Sequence, residues 1–323
     1  MNTPSILKRY GSLVIFGTIL AVSSCGGSGG GSSSGAGTGT LSLQITDGPV
    51  ETAEHVYIQF SGLEIQPADG KRTTLYYCQD PADAAKFIVS DAACTTPPAP
   101  QRLDLLALSG GEAKALLDNF TLPSGRYNWI RLMVDTDSED DSCIVVDVGG
   151  VCHDLTIPSN HQTGLKLNRG FNVPAGGSAD FTIDFDLRKS VHVTGTGEYM
   201  LRPTLRLADN AMVGFIAGTV DTLLVPVGCT PAVYVFEGGG VTPDDIDNIA
   251  PDPVATASVK LDNMGVYRYM AAFLEAGSYT IAYTCDAAAD DPIVDNTLSA
   301  PPVNFSGTTT VSVTANTKTV HNF

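Results

Sequence analysis

The sequence predicts an all-β protein, two tandem antiparallel β-sandwich domains that follow an export signal and a flexible Gly/Ser tether. Three observations carry this expectation. Apolar residues recur with period two, clusters of Gly, Pro, Asn and Asp break the runs at short intervals, and the pattern restarts near residue 212 with echoes of the first half. Turns this closely spaced point to sandwiches rather than to a barrel of βαβ units.

The first element is a targeting segment, residues 1–24. Lys8 and Arg9 form a short basic start, and Leu13 to Val22 is an apolar run interrupted by Gly17 and Thr18. Some ten apolar residues fall short of the roughly 20 that a helix needs to cross a bilayer core, so the segment has the pattern of a removable export signal. Cys25 has two readings, a leftover thiol or a lipid attachment point. The stretch Val22-Ser23-Ser24-Cys25 resembles the lipobox of bacterial lipoproteins, with Val22 where Leu is usual. That resemblance implies a diacylglyceryl group on the Cys25 thiol, cleavage just before it and acylation of the new amine. Several acyl chains, at about 0.8 kcal/mol per buried CH₂, make a lasting anchor. Gly26 in place of Asp after the cysteine implies the outer membrane of a bacterial cell envelope.

Residues 25–39 hold almost nothing that packs, so they are expected to stay a flexible tether of roughly 20 Å. The first sandwich follows over residues 40–208. Leu41, Leu43 and Ile45 share one face, and so do Val56, Ile58 and Phe60 against Tyr57 and Gln59. The clearest strand is Phe181 to Leu187, with four apolar residues on one side. Gly111 to Asn119 has the Ala, Leu and Lys content of a short helix, and little other helix is expected. Residues 209–214 read as a joint, and the second sandwich occupies 212–323. Leu122-Pro-Ser-Gly125-Arg-Tyr127 and Leu274-Glu-Ala-Gly277-Ser-Tyr279 share an L-x-x-G-x-Y pattern, and Val56 to Phe60 echoes Val233 to Phe236. The glycine allows a turn at positive φ and the tyrosine starts the next strand, its ring packing across the turn.

Acidic residues outnumber basic ones by 35 to 18, giving a net charge of −17, and no basic stripe follows Arg9. Such a chain repels phosphate backbones, which excludes nucleic acid as a partner. Of seven cysteines, lipidation of Cys25 leaves six. Locality pairs them as Cys78–Cys94, Cys143–Cys152 and Cys229–Cys285, because no bridge then crosses the joint; none of them forms the C-x-x-C half-site of structural zinc. Export through an oxidising compartment favours disulfides.

Residues 40–208 resemble the bacterial lipoprotein family known as domain of unknown function 4382. Thr46-Asp-Gly-Pro-Val50, Leu103-Asp-Leu-Leu106, Leu122 to Leu132, Asp184 to Ser190 and Arg202-Pro-Thr-Leu-Arg206 carry the resemblance. It implies an envelope protein and brings no activity. Residues 215–323 resemble the carboxypeptidase-regulatory-like, or prealbumin-like, domains through Gly218-Thr-Val220, Asn263 to Tyr267 and Leu274 to Tyr279. That second resemblance implies a small Ig-like sandwich of about seven strands, typically an accessory or spacer unit.

Catalytic signatures are sparse. The five histidines are scattered, Trp129 sits among strand residues as packing or as a sugar platform, and nothing brings Asp104 and Asp184 together. Asp184, Asp186 and Arg188 project to one face if the strand continues, where they form either a salt-bridge lattice with Arg131, Arg202 and Arg206 or a ligand face. Asp135, Asp137, Glu139 and Asp141 form the densest acidic run. It starts like an EF-hand loop but lacks the glycine and the final glutamate, leaving a solvated hairpin tip or a Ca²⁺ site. No other cofactor is expected. The expected function is a non-enzymatic envelope lipoprotein, held to the membrane by lipid, that presents a sandwich surface to an envelope protein or glycan. The alternatives are a Ca²⁺- or glycan-dependent adhesion module and an unrecognised hydrolase.

Overall fold

The period-two pattern is realised first in β1 (Thr38–Gly48), where Leu41, Leu43 and Ile45 are fully buried and the residues between them are not. The computed structural model describes residues 37–48, 53–134, 142–158, 165–292, 294–296 and 302–323. The export signal, Cys25, most of the tether and the acidic run Asp135, Asp137, Glu139 and Asp141 therefore lie outside the described residues. Residues 36–323 form one compact unit.

After β1 come β2 (His55–Pro67), β3 (Thr73–Asp80), β4 (Asp83–Ser90), β5 (Gln101–Asp104), β6 (Lys114–Pro123), β7 (Gly125–Val134), β8 (Cys143–Val145), β9 (His153–Thr156), β10 (Leu165–Leu167), β11 (Phe171–Val173) and β12 (Ser178–Asp186). A single helical turn, α1 (Leu187–Ser190), leads to β13 (Val191–Val193), β14 (Tyr199–Leu201) and β15 (Leu205–Asp209). One sheet runs β15-β12-β1-β6. The facing sheet is built on β10-β7-β2-β8-β9-β14-β13, with β11 on β7, β3 and β5 on β2, and β4 on β3. Between them lies a core that includes Phe60, Ile65, Leu132, Ile183 and Phe185.

Alternation in β2 changes parity part-way. Val56, Ile58 and Phe60 point inward, and then Leu63 and Ile65 do, because pairing with β7 shifts register between Phe60 and Gly62. Glycine is needed at that shift: a Cβ on Gly62 would lie 2.1 Å from the Leu75 carbonyl oxygen of β3.

The helix expected over Gly111–Asn119 is not formed; Lys114–Pro123 is strand β6. Its antiparallel pairing with β1 and the burial of Leu116, Leu117 and Leu122 outweigh a helix preference of a few tenths of a kcal/mol per residue. Asn119 takes a positive φ of 46° where this pairing bulges.

A turn at Asn210–Met212 connects to β16 (Val213–Val220), β17 (Ala232–Glu237), β18 (Ala255–Ser258), β19 (Lys260–Leu261), β20 (Tyr267–Glu275), β21 (Gly277–Thr284), β22 (Phe305–Val313) and β23 (Lys318–Val320). They form a second pair of sheets, β19-β20-β16-β23 and β18-β17-β21-β22. Gly218 belongs to this body's closure, since a Cβ there would sit 1.5 Å from the His321 carbonyl oxygen.

The echo between the halves extends to topology. β1 pairs with β6 as β16 pairs with β20, and β2 pairs with β7 as β17 pairs with β21. In each body the first strand also runs parallel to a late one, β12 on β1 and β23 on β16; with β9 and β14, these are the parallel pairs in otherwise antiparallel sandwiches. Both L-x-x-G-x-Y stretches are corners where the chain leaves one sheet for the other. Tyr127 donates to the Pro123 carbonyl (2.7 Å) and Tyr279 to the Glu275 carbonyl (2.8 Å), locking each corner in the same way. Gly125 takes a positive φ of 141°, whereas Gly277 is not among the glycines with positive φ.

Disulfides join Cys78 to Cys94, Cys143 to Cys152 and Cys229 to Cys285, the pairs that locality selects. Among the described residues no helix is long and apolar enough to cross a membrane.

Candidate functional site

The segment Asp184–Ser190 does not continue as a strand. β12 stops at Asp186, whose carboxylate accepts the backbone N–H of Lys189 (3.2 Å) and so caps the turn α1. The expected single face of Asp184, Asp186 and Arg188 is therefore broken: the cap turns the chain before Arg188. Asp184 pairs across the sheet with Arg206 (2.5 Å), its partner in the β12–β15 register. Arg131 binds Glu64 on β2 instead (2.9 Å), and Arg202 lines an open hollow with His192.

The turn aims Arg188 and Lys189 out of the first sandwich and into the second. Arg188 is 3% exposed. Its guanidinium lies 5.2 Å from the ring centroid of Tyr234 on β17 and donates to that hydroxyl, which in turn donates to Asp290. Lys189 is 9% exposed, and its ammonium donates to the Asp252 carboxylate and to the Pro253 carbonyl (2.6 Å). Away from this centre, Lys260 donates to Ser109 (2.9 Å) and Arg169 pairs with Glu275 (2.5 Å), so the two sandwiches are joined at several points.

Three of the five motifs that carry the family resemblance converge on this junction or just behind it. Asp47 accepts the N–H of Leu187 (3.3 Å), and Thr46 donates to the carbonyls of Leu108 (3.0 Å) and Glu112 (2.6 Å). Ser190 accepts the N–H of Thr204 (2.9 Å), and Asp186 N–H donates to the Thr204 carbonyl (3.0 Å). A cavity of about 30 Å³, room for no more than a water or two, separates Thr46, Asp47, Asp184 and Asp186 from Thr256 and Phe273.

Burial dominates the electrostatics here. It pushes the Asp47 carboxyl well above the ordinary carboxylate range, and the charges of Asp184 and Asp186 push the same way. Burial also lifts Asp186 to about 6, against the pull of Lys189. Carboxyls so placed bind protons more tightly than exposed ones do. The arrangement is suited to joining two bodies, with its cations pointed at protein partners across the junction.

The other singled-out residues are dispersed. Asp104 pairs with His55 on the neighbouring strand (2.7 Å), and Asp184 lies with Arg206. Trp129 is half-buried, its indole flanked by Lys166 (4.6 Å) and Arg131 (5.1 Å), which is packing on the outer face of β7. His153 rests against Tyr199 (5.5 Å). Sequence reasoning missed the role of Tyr234, read as one half of an internal echo, and the convergence of motifs that stand up to about 160 residues apart.

The family described as Domain of unknown function (DUF4382) matches residues 38–203. No curated protein matches the chain. Among solved structures, the Bacillus anthracis TIE protein is 11% identical, with 89% of this chain and 33% of that one covered at a TM-score of 0.19. This chain thus spans about a third of the length of that protein. GBS52, the minor pilin of Streptococcus agalactiae, is 11% identical (88% and 94% covered, TM-score 0.19), and a putative adhesin from Bacteroides ovatus is 9% identical (84% and 82% covered, TM-score 0.19). Superpositions this loose carry no argument.

Proposed function

The chain belongs to the DUF4382 family, and from that premise we propose a non-enzymatic cell-envelope lipoprotein, tethered by lipid at Cys25, whose paired sandwiches present a binding surface to an envelope protein or glycan. The observation that carries this reading is the junction. Arg188 and Lys189 are engaged across it with Tyr234 and Asp252, which ties the two sandwiches together. Two joined sandwiches carried on the Gly/Ser segment that follows Cys25 make a presenting device. The lipobox-like Val22-Ser23-Ser24-Cys25 supports the anchor and, through Gly26, an outer-membrane location. The resemblance of the second sandwich to the prealbumin-like accessory units supports a spacer role for that half.

The test compares wild type with Cys25→Ser in detergent phase separation. The wild-type protein is expected in the detergent phase and the variant in the aqueous phase or unprocessed. A variant that still partitions with membranes refutes the anchor. Cross-linking on intact envelopes then identifies what the anchored body touches. A second reading, a Ca²⁺-dependent adhesion module, is favoured by a carboxylate cluster in the second sandwich.

A further inference from the structure

That cluster joins the loop between β17 and β18, which carries Asp245 and Asp247, to Asp295 before β22, beside the small core of Tyr234, Phe236 and Ile246. Asp245 is 0% exposed. One of its carboxylate oxygens accepts the N–H of Asn296, while the other, Oδ1, is buried without any hydrogen-bond partner. A fully buried carboxylate oxygen with no donor is costly to retain in a folded protein, and neutral solvent cannot reach it. Asp247 and Asp295, both half-buried, each bring one oxygen so that the three ligand oxygens lie within 4.8 Å of one another.

That bound is compatible with all three oxygens sharing one ion. Ca²⁺ holds oxygens at about 2.3–2.6 Å, so ligands on opposite sides of it stand about 4.6–5.2 Å apart. The three carboxylates thus span no more than one calcium coordination sphere. Three hard oxygen donors without sulfur or imidazole suit Ca²⁺ or Mg²⁺ rather than zinc or copper. The loops are held in place by other bonds. The Asp247 carboxylate accepts the N–H of Ile249 (2.8 Å), the Asn296 side chain accepts the N–H of Asp291 (2.8 Å), and Ile246 N–H donates to Asp290 (3.2 Å).

We propose that Asp245, Asp247 and Asp295 form a Ca²⁺ site that ties the loop after β17 to the segment before β22. The ion supplies the partner that Asp245 Oδ1 lacks and offsets the repulsion among the three carboxylates, with water completing its six to eight ligands. Its residues are distinct from the acidic run Asp135–Asp141. The assignment depends neither on the lipid anchor nor on what the sandwiches bind.

The purified mature chain is stripped with a chelator and titrated with Ca²⁺ by calorimetry, with Mg²⁺ as a separate titrant and circular dichroism to check folding. Saturable binding of one Ca²⁺ is expected that is lost in Asp245→Asn, weakened at least about tenfold in Asp247→Asn and in Asp295→Asn, and unchanged in Asp135→Asn/Asp137→Asn. Ca²⁺ is also expected to raise the melting temperature of wild type and not of Asp247→Asn/Asp295→Asn, whose half-buried positions tolerate the change even if Asp245→Asn does not fold. The proposal is overturned by the absence of saturable binding, by binding that survives Asp247→Asn/Asp295→Asn or disappears in Asp135→Asn/Asp137→Asn, or by tighter binding of Mg²⁺ than of Ca²⁺.

Discussion

Replacing Lys189 by Met tests whether the junction welds the two sandwiches. The substitution keeps an apolar stem of similar length and removes the ammonium with its donors. In the native protein that ammonium serves the Asp252 carboxylate and the Pro253 carbonyl, and the second oxygen of Asp252 is buried with no hydrogen-bond partner. Without Lys189, a carboxylate only 24% exposed is left facing no donor. Removing one member of a buried pair costs about 3–5 kcal/mol. The water that reaches Asp252 trims this, so about 2–4 kcal/mol is expected. Because the loss falls between bodies, calorimetry should show the native transition splitting or broadening into two. A cycle with Asp252→Asn should give a coupling energy of about 1–3 kcal/mol, since the two side chains are in direct contact. Destabilisation below about 1 kcal/mol with one sharp transition retained would refute the weld.

The tyrosine corners make a paired prediction: Tyr127→Phe and Tyr279→Phe should each cost about 1–2 kcal/mol in urea unfolding, and unequal effects would show the corners are not equivalent devices. Among the disulfides, Cys229–Cys285 closes 56 residues against 16 and 9 for the others, so chain entropy assigns it about 4 kcal/mol and the shorter bridges about 2.5–3. Cys229→Ala should therefore lower the melting temperature more than Cys143→Ala, and the reverse order would count against that account. Finally, Asp47 and Asp186 have raised carboxyl pKa values in the fold, Asp186 to about 6 against about 3.9 unfolded. The folded state holds these protons more tightly, so their stabilisation is complete below about pH 4 and lost as pH rises through about 6. In chelator, the melting temperature should fall from pH 4.5 to 7.5, and Asp186→Asn should flatten the slope; a rising temperature over that window would exclude the effect.

Much of the architecture was legible in the chain. Alternation in β1 and β12, the repeated L-x-x-G-x-Y corners and the pairing of neighbouring cysteines all depend on interactions within a few tens of residues, where pleat geometry, turn sterics and loop closure act directly. Gly111–Asn119 shows the limit of local reading, because pairing with β1 overrides a modest helix preference there. The Asp184–Arg188 face failed for a related reason: whether a strand continues past Asp186 depends on a cap and on Thr204, which packs against it from 18 residues away. The sites themselves were decided by tertiary structure alone. Arg188 meets Tyr234, and Asp245 meets Asp295, only because two separately patterned sandwiches and their loops are brought together. Hydrophobic periodicity records which side of a strand is buried, and it carries no record of which charge waits on the element that covers it.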